Sequence, residues 1–176
     1  MDMTLQRLSA EQFAAYRPGL IALLLDAVGH GASVGFLADL DAQAAAEYFA
    51  QVEVALHDGS LQLWVACEHG QVLGSVQLSL CQKPNGLNRA EIQKLLVLSS
   101  ARRRGIARLL MQAVEQEAVA LKRGLLYLDT EAGSAAEQLY RHLGYSHIGG
   151  LPDYACGPDG IYLANAIYYK TLSRPS

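Results

Sequence analysis

The most constraining feature of this 176-residue chain is an apolar strand that meets three consecutive arginines and passes straight into an amphipathic helix. The stretch reads Leu95-Leu96-Val97-Leu98-Ser99-Ser100-Ala101-Arg102-Arg103-Arg104-Gly105-Ile106-Ala107-Arg108-Leu109-Leu110. Ala90 to Leu98 has the pattern of a strand. Arg103 to Leu121 has that of a helix, with Ile106, Leu109, Leu110, Ala113 and Val114 as its apolar stripe. The first turn of a helix leaves backbone N–H groups without partners, and the helix dipole adds partial positive charge there. Arginines at that end are disfavoured electrostatically unless an anion sits among them. Gly105 has no Cβ, so an anion can approach the backbone closely. The turn therefore predicts a phosphate site rather than a merely solvated arginine run. Neither Gly-x-x-x-x-Gly-Lys-Ser/Thr nor a strand followed by Gly-x-Gly-x-x-Gly occurs, which excludes two other phosphate loops.

The pattern around this turn predicts one domain over residues 1–176, with an order of strand, two helices, three strands, helix, strand, helix, strand. Met3 to Leu8 forms a first strand, and a helix follows from Ser9 or Ala10 with Leu20, Leu23, Leu24, Ala27 and Val28 as its later stripe. Pro18 is expected to kink or divide that helix. A glycine-rich break, Gly29 to Gly35, separates it from a second helix over Asp41 to His57. Leu61 to Glu68 and Gln71 to Cys81 flank His69-Gly70, a two-residue hairpin turn. Asn85-Gly86 makes a longer hairpin into the strand that ends at Leu98. After the arginine turn and its helix come a strand, Leu125 to Asp129, and a helix, Ser134 to Leu143. This segment is a β-α-β unit with a right-handed crossover. Gly149 to Gly160 is a loop, and Ala164 to Leu172 the last strand.

Composition narrows the function. A net charge of −3 argues against a dedicated nucleic-acid binder despite the local arginines. No apolar run is long enough to span a bilayer, and the first residues lack a signal-peptide core, so a cytoplasmic protein is expected. Cys67, Cys81 and Cys156 fit neither a disulfide framework nor a zinc site, and His142 and His147 have no metal-ligand spacing with other residues.

Arg102-x-x-Gly105-x-Ala107 matches the Gln/Arg-x-x-Gly-x-Gly/Ala pattern of the GNAT acetyltransferases, and the order of elements is that of their fold. Within that family the chain resembles the tabtoxin-resistance acetyltransferases, which inactivate a β-lactam toxin. The segments that carry the likeness include Gly31-Ala32-Ser33-Val34-Gly35-Phe36, Gln82 to Glu91, Lys122 to Leu126, Leu128 to Ser134 and Ala166 to Leu172. Two departures are Ser99, where a proline is usual, and Ala107 in place of the commoner glycine. The resemblance implies an α+β fold in three α/β/α layers. Its sheet is mixed and mostly antiparallel, with a central β-α-β unit and splayed strands.

The resemblance also implies acetyl-coenzyme A as cofactor. Its pyrophosphate would rest on the backbone of Arg103, Arg104, Gly105, Ile106, Ala107 and Arg108, with charge-assisted contacts from Arg102, Arg103 or Arg104. The pantetheine arm would follow Leu96, Val97 and Leu98, with the Val97 N–H facing the thioester carbonyl. Tyr140 matches the family tyrosine that protonates the departing thiolate; otherwise it is a core aromatic beside Leu143. Glu91 and Asp129 fall on adjacent strands and by resemblance help to deprotonate the acceptor. The alternatives are an ion pair of Glu91 with Lys94 or Arg89, and a turn or capping role for Asp129. His30 borders the implied cleft but reads as an exposed loop residue, Trp64 as core, and Tyr145 and Tyr168 as packing.

Three functions follow from these residues. The first is acetylation of an amine or hydroxyl on a small polar, amino-acid-like molecule, by a monomer or homodimer that engages neither nucleic acid nor membrane. The second is acetylation of a protein or peptide N-terminus. The third, from another class, is a non-catalytic acyl-coenzyme A sensor.

Overall fold

The computed structural model describes residues 2–174. Its elements are β1 (Thr4–Arg7), α1 (Ala10–Gly29), α2 (Ala42–His57), β2 (Leu61–Glu68), β3 (Gln71–Leu80) and β4 (Arg89–Val97). There follow α3 (Ile106–Ala120), β5 (Leu125–Glu131), α4 (Ala135–His142) and β6 (Ser146–Gly149). Two short strands, β7 (Ala155–Cys156) and β8 (Tyr162–Leu163), precede β9 (Asn165–Thr171). Seven strands form one sheet in the order β1-β2-β3-β4-β5-β9-β6. β4 and β5 are its parallel pair, and the other described pairs are antiparallel. This is the mixed, mostly antiparallel α+β architecture expected.

Strand alternation assigns the two faces. Leu63, Val65 and Val72 pack with Phe13, Leu20, Leu24, Ala45 and Phe49 of α1 and α2. Val76, Leu78, Ile92, Leu126 and Leu128 pack with Ile106, Leu110, Val114 and Tyr140 of α3 and α4. Helices thus cover both faces, giving the α/β/α layers. Trp64 lies in the second of these cores, as expected.

Three expectations need correction. α1 runs unbroken from Ala10 to Gly29 through Pro18. Proline removes one internal hydrogen bond, but Phe13 before it and Leu20 after it are buried in the same core, and the helix is not divided there. α3 begins at Ile106 rather than Arg103, because Arg103 and Gly105 have φ of 62° and 76°, which no right-handed helix accommodates. The Gly149 to Gly160 segment is not wholly irregular, since Ala155–Cys156 pairs with Tyr162–Leu163 in a small antiparallel ribbon.

One irregularity in β4 decides what faces the cleft. The pairing of β3 with β4 shifts between Ser75 and Gln77, and opposite that shift Lys94 has φ of 50°. An extra residue in a strand turns everything beyond it to the other face. Before the bulge, Ala90 and Ile92 pack toward α3 and α4, leaving Glu91 and Gln93 on the α1–α2 face. Beyond it, Leu96 packs toward α1 and α2.

Candidate active site

The site grows from a wedge between β4 and β5. Their parallel pairing covers only Arg89 to Glu91 against Leu125 to Tyr127. Past that point each strand continues alone, β4 to Val97 and β5 to Glu131. The Leu98 N–H donates to the Leu73 carbonyl at 2.7 Å. In an antiparallel ladder successive residues point their N–H groups to opposite sides. The Val97 N–H therefore turns away from β3 and into the wedge.

At the end of β4 a 3-10 turn, Ser99–Ala101, leads into the arginine turn. Gly105 stands in the left-handed region and caps α3 with no side-chain hydrogen bond. Among the described residues, none of the backbone N–H groups from Arg102 to Arg108 donates a hydrogen bond. A run of free donors at the positive end of a helix is an anion receptor. It opens on a cavity of about 280 Å³ lined by Val97, Ala101, Arg102, Arg103, Gly105, Ile106, Ala107, Arg108 and Leu139. The predicted cradle residues Arg102, Arg103, Gly105, Ile106, Ala107 and Arg108 thus meet around one space. Arg104 departs from them: its guanidinium makes two hydrogen bonds to Glu68, at 2.7 and 3.2 Å, and points along β2.

α4 forms the other wall. Leu139 lines the cavity, whereas Tyr140 stands one residue behind it, 6% exposed and with its ring centroid 6.0 Å from those of Tyr145 and Tyr168. Burial, helped by the Asp129 charge, pushes the Tyr140 phenol up to about 12. Among the described residues its hydroxyl has no hydrogen-bond partner, and it is not sealed from solvent. Tyr145 and Tyr168, expected to be packing residues, do pack but also carry polar bonds. Tyr145 donates to Glu115 at 2.9 Å, and Tyr168 to Glu137 at 2.6 Å.

The two carboxylates lie on the α1–α2 face of the wedge. Glu91 is half-buried, and burial raises its carboxyl above the usual range, with the Asp129 charge pushing the same way. Neither Arg89 nor Lys94 forms an ion pair with it, so that alternative is not what the fold uses. Asp129 is exposed and accepts a hydrogen bond from Asn165 Nδ2 at 3.3 Å; it caps no helix. Above this face the α1–α2 loop touches the β6–β9 segment. Ser33 donates to the Cys156 carbonyl at 3.4 Å, and the Ala38 N–H to the Pro158 carbonyl at 3.0 Å. His30 is exposed, its ring nitrogen 2.8 Å from the Asp26 carbonyl. Among the described residues no group of three or more His, Cys, Asp or Glu side chains is arranged to hold a metal, and no helix is long and apolar enough to cross a membrane.

The profile of the acetyltransferase (GNAT) family matches residues 25–145, which span the α1–α2 loop, the wedge, the arginine turn and α4. The chain belongs to the GNAT acetyltransferases. Acetyl-coenzyme A is the acetyl donor of this family. The fold is similar to that of ribosomal-protein-alanine N-acetyltransferase from Brucella melitensis, 26% identical with a TM-score of 0.79, covering 96% of this chain and 99% of that one. An N-acetyltransferase from Staphylococcus aureus Mu50 is 22% identical with a TM-score of 0.82, covering 98% and 100%. YncA from Salmonella typhimurium, solved with its cofactor acetyl-CoA, is 17% identical with a TM-score of 0.79, covering 100% and 97%.

The sequence reading assigned Asp26 no role and Lys94 only that of an alternative ion-pair partner of Glu91. Asp26, the one acid in the apolar run Leu23 to Val28, binds Ser99 at the start of the arginine turn. Lys94 interrupts an apolar strand and marks the bulge. Each had a signal, a charge where the pattern calls for an apolar residue, but nothing in the spacing said what it faces.

Proposed function

We propose that this acetyltransferase acetylates the amine or hydroxyl of a small, polar, amino-acid-like molecule, and that its natural acceptor is a toxin or antimetabolite of that kind. Acetyl-coenzyme A supplies an activated acetyl group. The free N–H groups from Arg102 to Arg108 carry this reading, because they fit a pyrophosphate and no described residue accepts from them. Arg102, Arg103 and Arg108 add charge around the same cavity, and Arg104 joins them by releasing Glu68. Leu96, Val97 and Leu98 offer main-chain groups to an extended pantetheine arm, and the Val97 N–H donates to a carbonyl oxygen in the wedge. Glu91 takes the acceptor's proton, directly or through water, with Asp129 as its partner carboxylate. Tyr140 keeps its proton at neutral pH and delivers it to the departing sulfur.

A protein N-terminus is the second reading, favoured by the Brucella relative. The contacts of Ser33 with Cys156 and of Ala38 with Pro158 close one side of the cleft and support the smaller acceptor. Calorimetry with acetyl-coenzyme A tests the cradle, and thiol release tests the acceptor, using amino acids, tabtoxinine-β-lactam and alanine-initiated peptides. Binding with turnover of small acceptors is the expected result. Preference for peptides selects the second reading, and absence of any heat with the coenzyme removes both.

A further inference from the structure

The bulge in β4 places one positive charge in the acceptor half of the cleft with no ion-pair partner among the described residues. Lys94 is half-buried, yet among the described residues no carboxylate lies within 4 Å of its ammonium and it donates no hydrogen bond. Its one described contact is with the face of Tyr48, 5.8 Å from the ring centroid. That ring is fixed from beyond by Gln77 Nε2, which donates to the Tyr48 hydroxyl at 3.0 Å. A Cβ added to Gly35 would stand 3.8 Å from the ammonium, so the charge lies beneath the α1–α2 loop. A non-glycine residue at φ of 50° is strained, and here the strain aims a long cationic side chain at the roofed cleft. Burial holds the ammonium below the usual lysine range, and the charges of Glu91 and Asp129 only partly offset that.

We propose that Lys94 receives a carboxylate of the acceptor, which makes the acceptor a free amino acid whose amine is presented to Glu91 and Asp129. This inference rests on the acetyltransferase reading above. Three ammonium protons held short of any partner are costly to bury, and an incoming carboxylate satisfies them in a charge-assisted bond. The same face offers a negative pair to the amine and a single positive charge to the acid, which is complementary to a zwitterion. Glu91 and Lys94 sit three residues apart on one strand.

The test compares the twenty L-amino acids with their primary amides, following thiol release from acetyl-coenzyme A. In the native protein, acids that react are expected to have KM values roughly tenfold to a hundredfold below those of their amides, the range for one hydrogen bond to a charged group. Lys94→Met should remove that preference, and Lys94→Arg should retain part of it. Coenzyme binding by calorimetry reports whether each variant is folded. Amides that match acids in the native protein, or a preference that survives Lys94→Met, overturn the assignment. Coenzyme binding with no turnover of any acid overturns the acceptor class and leaves the acetyltransferase reading intact, whereas a native protein that binds no coenzyme overturns both.

Discussion

Ser99 donates both its backbone N–H and its hydroxyl to the carboxylate of Asp26, at 2.8 and 2.7 Å. The pair ties the last turns of α1 to the point where the chain leaves β4 for the arginine turn. A proline at position 99 would have neither donor. The serine therefore sets the direction of the cradle by a bond rather than by a fixed φ.

Asp26→Ala should lower stability by about 1.5–3 kcal/mol, because two hydrogen bonds to one charged group are lost. Ser99→Ala keeps the backbone bond and should cost less. Urea unfolding checks the order of the two. Acetyl-coenzyme A affinity should fall in both, since the tether fixes where the free N–H groups point.

With Glu91 as the proposed base, the rate should depend on pH. Burial and the Asp129 charge hold its carboxyl above the ordinary glutamate range, and a base works only when ionised. The rate with saturating coenzyme should therefore rise with pH through a midpoint above about 4.3. Asp129→Asn removes one cause of the upward shift, so its midpoint should move down. Glu91→Gln should abolish this limb. A midpoint unchanged in both variants would mean that another group is being titrated.

Tyr140→Phe isolates the proton donor. The ring keeps its contacts with Tyr145 and Tyr168, so coenzyme affinity should stay nearly constant. Turnover should fall roughly a hundredfold or more, the range for loss of a general acid. With the phenol near 12, the native rate should show no loss of this proton across the neutral range. Turnover equal to native would remove the role.

The sequence made the frame of this site readable and hid its aim. Hairpin turns, apolar stripes and the arginine turn are local signals, so the elements fell within a few residues of where the pattern put them. The same local signals place Gly105 at the arginine turn and Tyr140 on α4. The start of α3 was not legible, because arginine carries no mark for the positive φ that Arg103 adopts. Nor was the bulge at Lys94, which exists only as a mismatch between two strands. The partners of Arg104 and Asp26 come from 36 and 73 residues away, on β2 and beyond β4. Such pairs follow from tertiary contact, which a single chain's periodicity does not encode.

Gly74 shows how closely α3 is seated on the sheet. A Cβ there would stand 2.9 Å from Ile106 Cγ2 and 3.0 Å from the Leu96 carbonyl oxygen. Ile106 is the first residue of α3, so relief of the clash must lift the cradle end of the helix. Gly74→Ala should cost about 1–3 kcal/mol, as overpacking usually does, and should weaken coenzyme binding. Melting temperature and calorimetry on the same sample check both effects.

Glu137 anchors the helix that carries Tyr140. Its carboxylate accepts from the Tyr168 hydroxyl at 2.6 Å and from the Gly133 N–H at 2.6 Å. Those two bonds, in that order, hold its carboxyl below the usual range. A carboxyl that is more acidic folded than unfolded adds stability above the unfolded value of about 4.3. That contribution is lost as pH falls through the lower, folded value. Glu137→Gln should therefore narrow its stability gap to the native protein as pH drops below about 4, with both followed by thermal melts across pH. Glu137→Ala goes further and leaves the fully buried Tyr168 hydroxyl without an acceptor. It should cost about 1–3 kcal/mol at neutral pH and slow turnover more than it weakens coenzyme binding, because α4 positions Tyr140 while the arginine turn is held separately by Asp26. Equal losses in both measurements would mean that α4 and the cradle move as one unit.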